Sequence, residues 1–215
     1  MANVKLITLT DPRSSAAEAF RTLRTNLIFS GVERALTTLV ITSVKNDDDK
    51  SETTANLAVT FAQAGNKTIL VDGDLRNPLQ HTLWGVKNER GLTTMMLEPE
   101  AMAHPPLVQT EVENLSLLPS GALPPVPSDL FSSQRMGEVL GVLKARANYI
   151  IFDAPPVLSA SDAALLASRL DGILLVVKTG STRRDQVARA RDELNRVHAR
   201  VLGAVLTNAP RGDIR

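Results

Sequence analysis

Six short apolar runs punctuate the chain: Thr38 to Ile41, Thr68 to Val71, Leu115 to Leu118, Tyr149 to Phe152, Ile173 to Val177 and Val201 to Leu206. Most are rich in β-branched residues, and the runs do not alternate regularly with polar ones. That pattern predicts strands buried on both faces, as in a parallel sheet covered by helices. Segments of helical spacing separate them, at roughly 14–29, 51–64, 128–147, 160–169 and 182–198. Strand and helix in repeated succession predict an α/β fold with a doubly wound, mostly parallel sheet flanked by helices. Ligands of such sheets bind beyond the carboxyl ends of the strands, so the residues just after each run carry the functional interest.

Two stretches break the rhythm. Residues 98–110 contain Pro99, Pro105 and Pro106 and read as a loop or short irregular helix. Residues 119–128 (PSGALPPVPS) read as a stiff loop leaving the third run. At 215 residues the chain has the size of one domain with a sizeable core. The expected division is a first helix within 1–30 and a core over 36–208.

The first run leads into Thr42-Ser43-Val44-Lys45-Asn46-Asp47-Asp48-Asp49-Lys50-Ser51, and a helical pattern follows. A loop between strand and helix that ends in Lys-Ser has the layout of a phosphate loop. There, backbone N–H groups wrap phosphates, the lysine neutralises them and the hydroxyl holds Mg²⁺. Lys45, five positions before Lys50, matches the extra lysine of the deviant Walker A class of P-loop NTPases. The glycines are absent, and Asp49 stands where the last of them belongs. A carboxylate about 5 Å from a phosphate charge, at an effective dielectric near 20, opposes binding by about 3 kcal/mol before screening. One reading is a solvated acidic turn at a helix N-terminus, where negative charge complements the dipole. A sharper one is that an aspartate caps the helix and takes the seat of the phosphate.

Acidic residues also end two other runs. Asp72-Gly73-Asp74-Leu75-Arg76-Asn77-Pro78 follows the second, and Asp153-Ala154-Pro155-Pro156 follows the fourth. Carboxylates leaving buried strands can orient Mg²⁺ or its waters and accept a hydroxyl proton. Either sequence alone also suits a turn or a strand terminator. Together with the Lys50-Ser51 loop they form a joint signature of a nucleotide site.

These motifs, with the rest of the chain, resemble the cytoplasmic bacterial tyrosine kinases (BY-kinases) of the CpsD/CapB type. The resemblance begins at Glu18-Ala19-Phe20-Arg21-Thr22-Leu23-Arg24, matching the family's E-x-x-R-x-x-R helix. It continues through the phosphate loop, ILVDGDLRNP, Leu118-Pro119-Ser120-Gly121, IIFDAPP and Ser161-Asp162-Ala163. It implies ATP and Mg²⁺ as substrate and cofactor, and control of capsule or exopolysaccharide polymerisation and export. Lys45, Asn46, Asp47, Asp48, Asp49, Lys50, Ser51 and Glu52 take the nucleotide-binding positions, and Ser51, Asp72 and Asp153 those of the metal ligands. Lys50, Asp72 and Asp74 take the catalytic positions, with Glu18, Arg21 and Arg24 at those of ring or dimer assembly. The implied partner is the cytoplasmic tail of a membrane chain-length or co-polymerase protein, which places the chain in the cytoplasm at the inner membrane face.

On a helical projection Phe20, Leu23 and Leu27 cluster, while the charged stripe of Glu18, Arg21 and Arg24 faces away from the core. That stripe is either a solvated face or a docking surface for a neighbouring subunit. The family's C-terminal tyrosine cluster has no counterpart in Pro210 to Arg215, so either that tail lies beyond Arg215 or the protein does not autophosphorylate in the usual way; the one tyrosine, Tyr149, opens a buried run. With the altered loop this leads to a pseudokinase-like regulator, with an active tyrosine autokinase and a partition-type ATPase as alternatives. A net charge of +1 argues against a dedicated nucleic-acid binder. The arginines of 182–198 are expected on a solvated face, with Val187, Ala190, Leu194 and Val197 on the sheet. The absence of cysteine removes thiolate chemistry. With no signal peptide or long apolar run, membrane association is expected only through a partner.

Overall fold

A computed structural model describes residues 5–46 and 49–209. The helices are α1 (Ile7–Thr10), α2 (Ser15–Ser30), α3 (Lys50–Gln63), α4 (Gln80–Trp84), α5 (Leu92–Leu97), α6 (Pro127–Ser132), α7 (Gln134–Lys144), α8 (Asp162–Ala167) and α9 (Arg184–Arg196). The strands are β1 (Thr38–Ser43), β2 (Thr68–Asp72), β3 (Val108–Gln109), β4 (Leu115–Leu118), β5 (Tyr149–Asp153), β6 (Gly172–Lys178) and β7 (Val201–Thr207). They form one sheet in the order β3-β4-β2-β5-β1-β6-β7, parallel except for β3.

All six apolar runs are strands; burial on both faces explains the lack of alternation in the first five, whereas β7, at the sheet edge, has no buried residue and leaves Leu206 exposed. In β5, Ile150 and Phe152 enter one apolar cluster while Ile151 enters the other. In β6, Ile173, Leu175 and Val177 alternate in the same way with Leu174 and Val176. Strands β1, β2, β4, β5 and β6 therefore feed two cores at once, one under α5 to α9 and one under α1 to α4. Helix α3 lies deep in the second, buried from Lys50 to Ala62 except at Glu52. Its Asn56 Oδ1 accepts hydrogen bonds from Thr8 N (3.1 Å) and Thr8 Oγ1 (2.9 Å), tying α1 to it.

Three elements differ from the sequence reading. The pattern at 128–147 is two helices, because Ser133 is extended (φ −66°, ψ 158°). Ser132 Oγ and Ser133 Oγ donate to Asp129 O and Leu130 O, and serines bonding back to the preceding turn compete with helix continuation. The 98–110 stretch holds a 3₁₀ turn at Pro99–Met102, as expected, but also the antiparallel strand β3. Helices α4 and α5, of five and six residues, are too short to show periodicity.

The stiff loop after β4 has a packing role. Leu92 N and Thr93 N at the start of α5 donate to Pro119 O (2.8 Å) and Ser120 O (2.9 Å). Gly91 permits this approach, since a Cβ there would lie 2.0 Å from the Pro119 carbonyl oxygen. Gly121 (φ +80°) then turns the chain in a conformation that glycine adopts freely.

Candidate nucleotide and metal site

The carboxyl ends of β1, β2 and β5 lie side by side and bring the three acidic and basic motifs together. Asp72 and Asp153 are register partners across β2 and β5. Gly73 N donates to Asp153 O at 2.8 Å, and a Cβ on Gly73 would stand 3.1 Å from that oxygen. The glycine between Asp72 and Asp74 is thus a close-approach residue.

Lys50, the first residue of α3, reaches back under the loop. Its Nζ donates to Asp153 Oδ1 in a short ion pair, lies 3.3 Å from Asp74 Oδ2 and donates to Ser51 Oγ at 3.2 Å. Burial alone would lower its pKa, but the charges of Asp153 first, then Asp74 and Asp72, hold it above the ordinary lysine value. Three carboxylates thus share one ammonium. Burial, then the neighbouring Asp153, pushes Asp72 well above the usual carboxylate range; the Gln80 N–H and Lys50 offset only part. Burial also raises Asp74, with Lys50 opposing it.

Gln80, the first residue of α4, was absent from the sequence reading and proves central. Its backbone N–H donates to Asp72 Oδ2 (3.0 Å). Its side-chain amide donates to Ser51 O (2.9 Å) and Asp153 Oδ2 (2.8 Å). One buried residue, through its backbone and its side chain, thereby joins the phosphate-loop helix to both strand-end aspartates. Asp72 Oδ1 and Gln80 Oε1 remain buried with no hydrogen-bond partner among the described residues. Asp74 Oδ1 accepts the N–H groups of Asn77 (3.0 Å) and Arg76 (3.3 Å), which fixes the turn after β2. Arg76 in turn forms a two-pronged ion pair with Asp162 of α8 (2.8 and 3.2 Å), a carboxylate with no exposure to solvent.

Asp49 occupies the left-handed region (φ 57°, ψ 27°), the conformation for which glycine is usual and which aspartate tolerates better than most residues. Its side chain makes no capping hydrogen bond to α3, contrary to the capping expected of an aspartate here. Oδ1 instead pairs with Lys178 Nζ at the end of β6, at 2.9 Å. Asp47 and Asp48 lie outside the described residues, and so do the expectations placed on them. Lys45 donates from Nζ to Ser181 O (3.0 Å) beyond β6.

A cleft of about 300 Å³ opens over this arrangement. Asn46, Asp49, Lys50, Ser51, Glu52 and Asp74 line it, with Leu79 and Leu83 of the α4 segment as an apolar wall. Asp74 is thus accessible from the cleft, whereas Asp72 is fully buried. Mg²⁺ fits the donor set: oxygen ligands, excess negative charge and a buried carboxylate oxygen without a partner. Among the described residues no three acidic or histidine side chains enclose a metal by themselves.

On α2, Glu18 is exposed and pairs with Arg21 (2.7 Å), which also donates to Pro12 O (2.8 Å). Arg24 departs from the expected outward stripe. Half-buried, it donates to Thr60 O of α3 at 2.8 Å, placing a cation near the last turn of that helix. Leu27 is buried, with Phe20 and Leu23 partly so. On α9 the division is as expected, with Ala190 and Leu194 buried and the arginines exposed. Among the described residues no helix is long and apolar enough to cross a membrane.

Similarities to known proteins agree with this geometry. Residues 37–201 match the family model of the AAA domain. The tyrosine-protein kinase YwqD of Bacillus subtilis is 39% identical over 94% of this chain and 84% of its own length. The putative tyrosine-protein kinase CapB of Staphylococcus aureus is 36% identical, over 93% and 87%. Among solved structures, the chimerical protein CapA2B2 superposes with a TM-score of 0.89 at 35% identity, covering 96% of this chain and 90% of its own. The kinase domain of the Escherichia coli tyrosine kinase ETK gives 0.92 at 29%, covering 100% and 84%. The chain therefore belongs to the bacterial tyrosine kinases (BY-kinases) of the CpsD and CapB type, built on a P-loop core.

Proposed function

We propose that this protein is a BY-kinase-fold regulator of capsule or exopolysaccharide polymerisation and export, with weakened ATP binding and little phosphotransfer. The observation that carries the reading is the acidic character of the anion seat: Asp49 replaces a glycine on the wall of the cleft, facing the place a polyphosphate would take. Ser51, Asp72 and Asp153 would hold Mg²⁺, which when bound neutralises phosphate charge and orients the transferring group. Lys50 supplies the resident cation. Asp74, which lines the cleft, would receive a phenolic proton on Oδ2, the oxygen that faces Lys50, since Oδ1 accepts backbone N–H groups. Residues 1–30 act as an assembly element and 36–208 as the nucleotide core. The partner is the cytoplasmic tail of a membrane co-polymerase.

A second reading, an active tyrosine kinase, is favoured by one specific feature. The Asp49 carboxylate is drawn to Lys178, and Lys50, Asp72, Asp74 and Asp153 converge without a gap. Incubation with radiolabelled ATP, Mg²⁺ and a tyrosine-bearing partner separates the two. The first reading expects no transfer above background; transfer that disappears in Lys50→Ala establishes the second.

A further inference from the structure

We infer that Lys178, at the end of β6, is a positioning residue that makes the aspartate-bearing phosphate loop compatible with a nucleoside triphosphate. This rests on the cleft above α3 being an ATP site. Asp49 lies on the wall of that cleft, and a full negative charge there opposes a polyphosphate. Among the described residues of the loop no other cation is paired with Asp49. Lys50, the adjacent cation, is already committed to Asp153 and Asp74, and Glu52 adds a further carboxylate on the same wall. Lys178 approaches from the side of the sheet and meets Asp49 Oδ1 at 2.9 Å, with both side chains partly exposed.

The backbone makes the pairing effective. In its left-handed conformation Asp49 does not fold its carboxylate over the first turn of α3, and no side-chain cap is formed. The first N–H groups of a helix have no partner within it, and the Asp49 side chain leaves those of α3 to an external anion. A surface ion pair of this kind contributes little to stability. Its consequence is the location and neutralisation of one charge at the mouth of an anion site. Lys178 compensates in trans for a substitution made in the loop.

Titration of Mg²⁺ and a fluorescent N-methylanthraniloyl ATP at low ionic strength tests this. The set comprises the parent, Lys178→Met, Lys178→Arg, Asp49→Asn and the double variant Lys178→Met with Asp49→Asn. Asparagine keeps access to the left-handed conformation and removes only the charge. The expected result is about tenfold weaker binding for Lys178→Met, equivalent to about 1.4 kcal/mol, with Lys178→Arg close to the parent. In the Asp49→Asn background the same lysine substitution changes affinity by about twofold or less. An equal loss in both backgrounds overturns the inference, since Lys178 would then act on the nucleotide directly. No loss in the parent overturns it too. If every protein, Asp49→Asn included, fails to bind, the ATP-site reading falls and the inference with it. Equal melting temperatures of parent and Lys178→Met assign the loss to the site rather than to folding.

Discussion

Asp72 and Asp153 stand opposite each other as register partners on β2 and β5, yet only Asp153 is paired with Lys50. Asp72 keeps one oxygen buried and without a partner among the described residues. The site therefore carries one carboxylate more than its resident groups satisfy.

Neutralising that carboxylate changes the response to metal. Asp72→Asn is expected to melt at or above the temperature of the parent without Mg²⁺, because the buried charge is gone. The increment that millimolar Mg²⁺ gives the parent is expected to disappear. Thermal denaturation with and without MgCl₂ measures both. An undiminished increment in Asp72→Asn would show that the ion binds elsewhere.

The Arg76 and Asp162 pair joins the turn after β2 to α8. Arg76→Ala leaves a fully buried carboxylate alone, which costs about 3 kcal/mol. Adding Asp162→Asn to that variant is expected to recover more than half of the loss in urea denaturation, because the uncompensated charge is then removed. Additive losses would mean that the pair contributes no electrostatic coupling.

Acid stability reports on Asp171 in the loop before β6. Its Oδ2 accepts from both N–H and Oγ1 of Thr37 and Thr38, at 2.8–3.0 Å. Burial pushes its pKa up, but those donors outweigh it and hold the carboxyl below its ordinary value. A depressed folded-state pKa means stability that is present above the unfolded value and lost as pH falls through the folded one. Asp171→Asn is thus expected to be about 1–2 kcal/mol less stable near pH 7, with the gap closing below about pH 3.5. A gap constant from pH 7 to 2.5 would contradict this assignment.

The two arginines of α2 separate by role. Arg24→Ala removes the bond to Thr60 O and is expected to cost about 1 kcal/mol in the monomer. Arg21→Ala breaks an exposed pair with Glu18 and is expected to cost less than about 0.5 kcal/mol, while lowering the assembled mass in light scattering. An unchanged mass for Arg21→Ala counts against the proposed assembly role.

The six parallel strands were legible because their sequences are apolar on both faces, and the doubly wound pattern follows from them with the intervening helices, whereas β3, of two residues, carries no such run. The break at Ser133 was hidden, since serine spacing says nothing about which carbonyl a hydroxyl will choose. Lys50, Ser51, Asp72, Asp74 and Asp153 were readable as strand-end residues, and the structure brings them together. Gln80 was not, because a glutamine eight residues past Asp72 becomes central only when α4 folds back over the sheet end. Lys178 closes its strand like any solvated lysine, and its pairing with Asp49 spans 129 residues of sequence. Long-range polar pairs of this kind leave no periodic trace.

Calorimetric titration of the parent and Asp49→Gly with Mg²⁺ and ATP tests the central claim, that an intact metal and catalytic half faces an acidic anion seat. The account predicts binding weaker than micromolar for the parent and at least tenfold tighter binding for Asp49→Gly. Micromolar or tighter binding by the parent, or an Asp49→Gly variant that binds no better, would contradict it.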